Sequence, residues 1–294
     1  MILSLVLTLI LIPSLQDTSM STLRESVMQE FKSVKGTFAL AYSDLSSGSA
    51  LLINEKETFH AASTMKTPVM IEVFKQARAG KFGLDDSILV KNEFKSIVDG
   101  SPYQMDLSED SDDSMYRRIN GKATVRELLY QMITVSSNLA TNILIDLVDA
   151  KNVTASMRNI GAWDILVLRG VEDGKAYERG LNNTTTAYDL MVIMKTIAEG
   201  KAVDQVASKE MTGILLDQKF RDQIPALLPD GVRVAHKTGS ITGVRHDSGF
   251  VILPDGRTYV VVVLSKGLED EEAGKRVMAR ISRLMYDYTQ SQKP

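Results

Sequence analysis

His60-Ala-Ala-Ser-Thr-Met-Lys66-Thr-Pro-Val-Met-Ile-Glu-Val-Phe-Lys75 is the stretch on which the fold turns. Small residues lead into a helical pattern in which Val69, Met70, Val73 and Phe74 share one apolar face. Ser63 and Lys66 are three residues apart, so a helix sets them on the same side, within reach of each other. A free serine hydroxyl is a weak nucleophile and needs a neighbouring base. A lysine serves only if its pKa, near ~10.4 in water, is lowered by burial or by nearby positive charge. A serine at a helix start also has unpaired backbone N–H groups around it, the material of an oxyanion hole. In isolation, however, Ser-x-x-Lys reads better as a capping serine followed by a surface lysine, and the functional reading needs support from the rest of the chain.

Outward from this stretch the pattern is strand-rich at both ends and helical between. An amphipathic helix is expected over 23–34, followed by a hairpin of strands 37–43 and 49–54 joined at Asp44-Leu-Ser-Ser-Gly48. Residues 81–121 are polar and interrupted, and their acidic run Glu109-Asp-Ser-Asp-Asp113 reads as a solvated loop. Thr124 opens a helix through 133 with a Thr-x-x-Glu capping box, and a more apolar helix follows over 138–148. Between them lies Thr134-Val-Ser-Ser-Asn138, a polar break among buried helices, which is costly unless it faces a cleft.

Residues 162–169 read as a short strand, 170–183 as a loop, and 184–200 and 208–216 as helices. Strands are expected over 233–239, 246–253 and 258–264, the last two joined by Pro254-Asp-Gly-Arg257, and a helix over 269–290 closes the chain. The pattern implies an α/β fold of the α+β type: an antiparallel sheet flanked by helices and built from both termini, with an all-helical domain inserted. The expected division is 18–62 with 222–294 for the sheet domain and 63–221 for the helical one, with a site at their junction.

Composition narrows the functional classes. The 294 residues, 44% hydrophobic and 24% charged, have ordinary globular composition. A net charge of −3 without any basic run gives no support for nucleic-acid binding. The absence of cysteine excludes disulfides, zinc-thiolate sites and a cysteine nucleophile. His60, His236 and His246 fall in no metal-binding spacing, so no metal is expected. Residues 2–12 are almost wholly apolar and then turn polar, which fits the core of a secretory signal over 1–17, although no Lys or Arg precedes the run.

Three polar motifs now stand in chain order: Ser63-Thr-Met-Lys66, Ser136-Ser-Asn138 and Lys237-Thr-Gly239. Their order and separation resemble the S-x-x-K, S-D-N and K-T-G set of the penicillin-recognising serine enzymes, and the chain from about residue 23 onward resembles a class A β-lactamase. The resemblance implies Ser63 as acylated nucleophile, Lys66 as its proton partner, and Ser136 as relay to the leaving nitrogen. It implies Asn138 on the substrate side-chain amide, Lys237 and Thr238 on the substrate carboxylate, Gly239 for close approach of the strand backbone, and the N–H groups of Ser63 and Ser240 as oxyanion hole. It further implies an enzyme without cofactor acting on a small molecule, a β-lactam or cell-wall peptide; with the signal-like run over 1–17, the expected protein is a periplasmic or secreted monomer with no stable membrane insertion once the signal is removed.

The departures are specific. Ser137 stands where the family has aspartate, which implies a changed structural hydrogen bond. Arg245 stands near where a carboxylate-binding arginine is needed, with a plain surface arginine as the other reading. Family members carry a glutamate and, four residues on, an asparagine that position the deacylating water. Glu178-Arg-Gly-Leu-Asn182 resembles that pair but without the usual spacer before Asn183, so Glu178 either enters the site or stands exposed. The alternatives to a β-lactamase are a D,D-peptidase-like hydrolase and a non-catalytic peptidoglycan-binding relative. A Ser-His-Asp hydrolase is disfavoured because no G-x-S-x-G elbow occurs.

Overall fold

The structure, a computed structural model, describes residues 19–292; the expected signal over 1–17 lies outside them. Five antiparallel strands form one sheet: β1 (Thr37–Asp44), β2 (Ala50–Ile53), β3 (Arg233–Ile241), β4 (Val244–Ile252) and β5 (Thr258–Lys266), in the order β2-β1-β5-β4-β3. The two ends of the chain therefore meet at β1 and β5, whose register pairs Leu40 with Val263 and Tyr42 with Val261.

Alternation along β5 explains why both faces of the sheet are covered. Successive side chains point to opposite faces. Tyr259, Val261 and Val263 join the core under α1 (Met20–Lys32) and α9 (Glu271–Ser291). Val260, Val262 and Leu264 join a second core on the other face, with α2 (Lys66–Arg78), α3 (Val125–Thr134), α4 (Asn138–Val148), α5 (Ala150–Asn159) and α7 (Ala187–Ala198). Burying each such side chain contributes about 1.5–3 kcal/mol, so this run alone ties both layers to the sheet. The helix α8 (Gln205–Leu216) packs beside α7 and leads back to β3.

Two expectations are corrected. The part between the strands is not all-helical: 87–89 pair with 122–124, and 94–95 pair with 102–103. Residues 162–169 form no strand beyond one bridge between Leu166 and Thr184, because the side chain of Asn183 takes the backbone N–H groups of Leu168 and Arg169 that a partner strand would have taken.

β3 is one of the two edge strands, and it lies against the turn that carries Ser63. Behind it β4 approaches unusually closely at Gly249. A Cβ there would lie 2.5 Å from the Ala235 carbonyl oxygen and 2.6 Å from His236 Cβ. Gly249→Ala is therefore expected to destabilise the fold by about 1–3 kcal/mol through overpacking, read as a lowered melting temperature.

Candidate active site

The chain enters the site through a strained turn. Ala62 has φ 45°, and the 3₁₀ turn Ala62–Met65 runs directly into α2, so that Ser63 is half-buried at the head of the helix and Lys66 fully buried one turn later. His60 Nδ1 accepts from the Ala62 N–H at 3.0 Å, and its carbonyl meets His246 Nε2 at 2.8 Å, which fastens the turn to β4. Burial pushes His246 down to about 4, so it is neutral and donates to the carbonyl. Gly239 on β3 brings the strand against this turn: a Cβ there would lie 3.2 Å from the Ser63 backbone nitrogen.

Among the described residues, few non-glycine residues have positive φ, and three of them are here: Ala62, Ser136 (61°) and Glu172 (59°). Each costs of order 1–3 kcal/mol, and such strain gathers where geometry serves chemistry.

Lys66 Nζ is the hub. It donates to the Ser136 carbonyl at 2.6 Å, to Ser136 Oγ at 3.2 Å and to Asn138 Oδ1 at 2.8 Å. Lys237 Nζ reaches the same Ser136 Oγ at 3.0 Å and the Thr238 carbonyl at 2.8 Å. One hydroxyl thus bridges two buried amines. Burial pushes Lys66 down to about 7, against the charges of Asp110 and Glu172, which hold it up. Burial and then the charge of Lys66 hold Lys237 well below the usual lysine range, against the carboxylate of Asp247. Desolvation, rather than the neighbouring lysine, is what softens Lys66. Although β3 is an edge strand, Lys237 has none of the solvent exposure of an edge lysine.

Ser137 is buried and caps α4, its Oγ accepting from the Ala140 N–H at 3.3 Å. The polar break between α3 and α4 does face a cleft. Ser136, Asn138, Thr238 and Arg245 line a cavity of about 320 Å³, and Glu172, Asn183 and Ile241 an adjoining one of about 550 Å³. Ser63, Asn138 and Ser240 border both, so the two are lobes of one cleft meeting at Ser63. A further cavity of about 350 Å³, lined by Phe94, Tyr103 and Arg169, includes none of the motif residues.

Arg245 borders the first lobe, but its guanidinium is engaged by Glu271 and by the carbonyl oxygens of Val244 (2.8 Å) and Ile241 (3.1 Å). Glu178 and Asn182 are not brought to the cleft. Glu178 is exposed at the end of the short helix α6 (Gly174–Glu178), and Asn182 Oδ1 accepts from the buried Arg169 guanidinium at 3.2 Å.

Two glutamates border the cleft, Glu109 on its exposed side and the half-buried Glu172, which sequence reasoning missed. Glu172 Oε1 accepts from Asn138 Nδ2 at 2.8 Å, so Asn138 joins Lys66 to Glu172 through its two amide atoms. Its position follows from the residues beside it. Asn142 on α4 grips Val171 from both sides, accepting its N–H at 2.7 Å and donating to its carbonyl at 3.0 Å. Asp173 accepts from Ser96 Oγ at 2.8 Å and the Ile97 N–H at 2.9 Å. Gly170 packs so closely on Asn142 that a Cβ would lie 2.4 Å from its Oδ1. Burial raises the Glu172 pKa above the usual carboxylate range, Asp110 adds to the rise, and the hydrogen bonds from the Asp106 N–H and Asn138 and the charge of Lys66 oppose it. The available signal was position: Glu172 is the first carboxylate after Arg169-Gly170, ahead of the Glu-x-x-x-Asn spacing that drew attention to Glu178.

The chain is similar to known proteins in sequence and fold. A beta-lactamase of Bacteroides uniformis is 26% identical over 253 residues, covering 82% of each chain. The crystal structure of a beta-lactamase from Sphaerobacter thermophilus superposes with a TM-score of 0.80 at 28% identity, covering 94% of this chain and all of that one. PBP-A superposes with a TM-score of 0.78 at 26% identity, covering 92% and 97%. The model of the Beta-lactamase enzyme family matches residues 22–289, and the chain belongs to that family of hydrolases.

Proposed function

We propose that the protein is a serine β-lactamase of class A type that opens the β-lactam amide through an acyl-enzyme on Ser63. Lys66, as the neutral amine, takes the Ser63 proton as Oγ bonds to the lactam carbonyl carbon. The lactam C–N bond then breaks and the proton passes through Ser136 to the ring nitrogen. The backbone N–H groups of Ser63 and Ser240 face the developing oxyanion, while Lys237 and Thr238, with Arg245 at the rim, receive the substrate carboxylate. Glu172, in place of Glu178, takes a proton from the water that attacks the ester; the bond from the acyl carbon to Ser63 Oγ then breaks, and Oγ takes back the proton that Lys66 or Glu172 holds.

The observation that carries this is the unbroken chain Lys237–Ser136–Lys66–Asn138–Glu172 along the cleft that Ser63 borders. Acyl transfer needs a base, a proton relay and fixed donors, and the chain supplies the first two to both half-reactions. Export is part of the proposal and rests on residues 2–12; among the described residues no helix is long and apolar enough to cross a membrane.

The test is a chromogenic cephalosporin with intact-mass detection. Wild-type protein is expected to hydrolyse it, and Ser63→Ala to show neither hydrolysis nor adduct. A second reading, a peptidase-like enzyme, draws on the likeness to PBP-A, whose variant was solved as an acyl-enzyme complex with penicillin G. A stable adduct on Ser63 without turnover would favour it over the β-lactamase.

A further inference from the structure

The acidic run 109–113 reads from sequence as a solvated loop, yet three consecutive residues of it hold the turn that carries Ser136 and Asn138. The Glu109 carbonyl accepts from Asn138 Nδ2 at 3.3 Å. The Asp110 carboxylate accepts from the N–H of Asn138 through both oxygens and from the N–H of Leu139, all at 2.9 Å. Ser111 Oγ donates to the Val135 carbonyl at 2.6 Å.

The opening N–H groups of a helix have no partners within it. In α4 those of Asn138 and Leu139 go to Asp110, that of Ala140 to Ser137 Oγ, and that of Thr141 to the Ser137 carbonyl. Ser137 alone, standing where the family has aspartate, satisfies the later two and leaves the first two to a residue remote in sequence. Those two belong to the residue whose side chain joins Lys66 to Glu172, and to the one after it.

We propose that Asp110 is a positioning residue for acylation: it fixes the backbone of Asn138, and through it the Lys66–Asn138–Glu172 chain, while setting a negative charge near the buried amine of Lys66. The helix N-terminus carries a partial positive charge of its own, and it points into a region already holding Lys66 and Lys237. An anion there offsets the helix end and Lys66. The charged and titratable groups facing it are Lys66 from α2, Glu172 from the loop before α6, and Tyr116 from its own loop, with Glu109 beside it in sequence, and its Oδ1 also accepts from the Asp112 N–H at 3.3 Å. The Tyr116 hydroxyl is buried and held in its neutral form by burial and by Asp110 and Glu172, so it adds no competing charge. Because its charge, with that of Glu172, holds Lys66 up against burial, Asp110 raises the pH below which Lys66 is protonated and idle.

The inference rests on the proposed Ser63 acyl-enzyme, and its test reads the rate of adduct formation on Ser63 by a penicillin, followed by intact mass from pH 5 to 9. That rate is measurable whether or not the adduct turns over. Asp110→Asn keeps an acceptor but loses the charge; it is expected to fold with a near wild-type melting temperature and to shift the acid limb of the acylation rate to lower pH. Asp110→Ala loses both and is expected to acylate about 10²-fold more slowly at pH 8, the scale of a small misplacement of reacting groups, with Asp110→Asn recovering most of the loss. An unmoved limb in Asp110→Asn, or an Asp110→Ala rate reduced only in step with its folded fraction, would overturn the inference while leaving the Ser63 reading intact. A wild type that forms no adduct would remove both.

Discussion

Glutamine at position 172 is expected to stop the enzyme with substrate attached. Turnover of a cephalosporin should fall about 10²–10⁴-fold, the range for loss of a general base, while the Ser63 adduct still forms and accumulates in the mass spectrum. The substitution is conservative where it matters, since a glutamine Oε1 can keep the hydrogen bond from Asn138 Nδ2. Glu178→Gln is the control, and its exposed side chain predicts a wild-type rate. If Glu178→Gln stalls and Glu172→Gln turns over, the loop glutamates have been assigned the wrong way round.

Stability gives an independent reading. With its folded pKa raised above the unfolded value, Glu172 binds more proton in the folded state across the window between them. Stability is then lost as pH rises through that window. Removing the charge should leave Glu172→Gln at least as heat-stable as wild type at pH 8, with the difference closing toward pH 4. A gain in stability together with a loss of turnover is the behaviour of a strained functional residue.

Why Glu178 drew attention and Glu172 did not is a matter of what a sequence carries. Elements defined by local periodicity were legible. The capping box at Thr124 and Glu127 forms with both hydrogen bonds, α4 keeps the expected bounds, and the unbroken apolar run of the strand expected over 258–264 lies in β5, buried on both faces. The three motifs were legible because each is local, and the fold then brings Lys66, Ser136, Asn138 and Lys237 within hydrogen-bond reach. The loop over 170–183 has no periodicity to read. Its path is set by Asn142 on α4 gripping Val171, by Arg169 donating to the Leu181 carbonyl, and by Asp173 bonding to the 96–97 loop. Those contacts join residues far apart in sequence, and a spacing rule borrowed from relatives points to a carboxylate that the structure leaves exposed. Asp110 was hidden for the same reason: nothing in an acidic run says that one member reaches a helix start 28 residues on.

Lys66→Met is expected to slow formation of the Ser63 adduct about 10²–10⁴-fold, with the apolar side chain filling roughly the volume vacated. On the proposed mechanism the neutral amine is the competent base, and its pKa is pushed down to about 7. The acylation rate should therefore be level above that pH and fall tenfold for each unit below it. Lys66→Met should abolish this limb along with most of the rate. In Glu172→Gln the limb should persist but lie at lower pH, because the Glu172 carboxylate is one of the two charges holding Lys66 up. Asp110→Asn should move it in the same direction, and the double variant further still. If Glu172 were instead the acylation base, acting through a water, the outcome would invert: the limb would vanish in Glu172→Gln and survive in Lys66→Met. The two single variants thus separate the two bases in one set of pH profiles, because the amine and the carboxylate sit at opposite ends of the same Asn138 side chain.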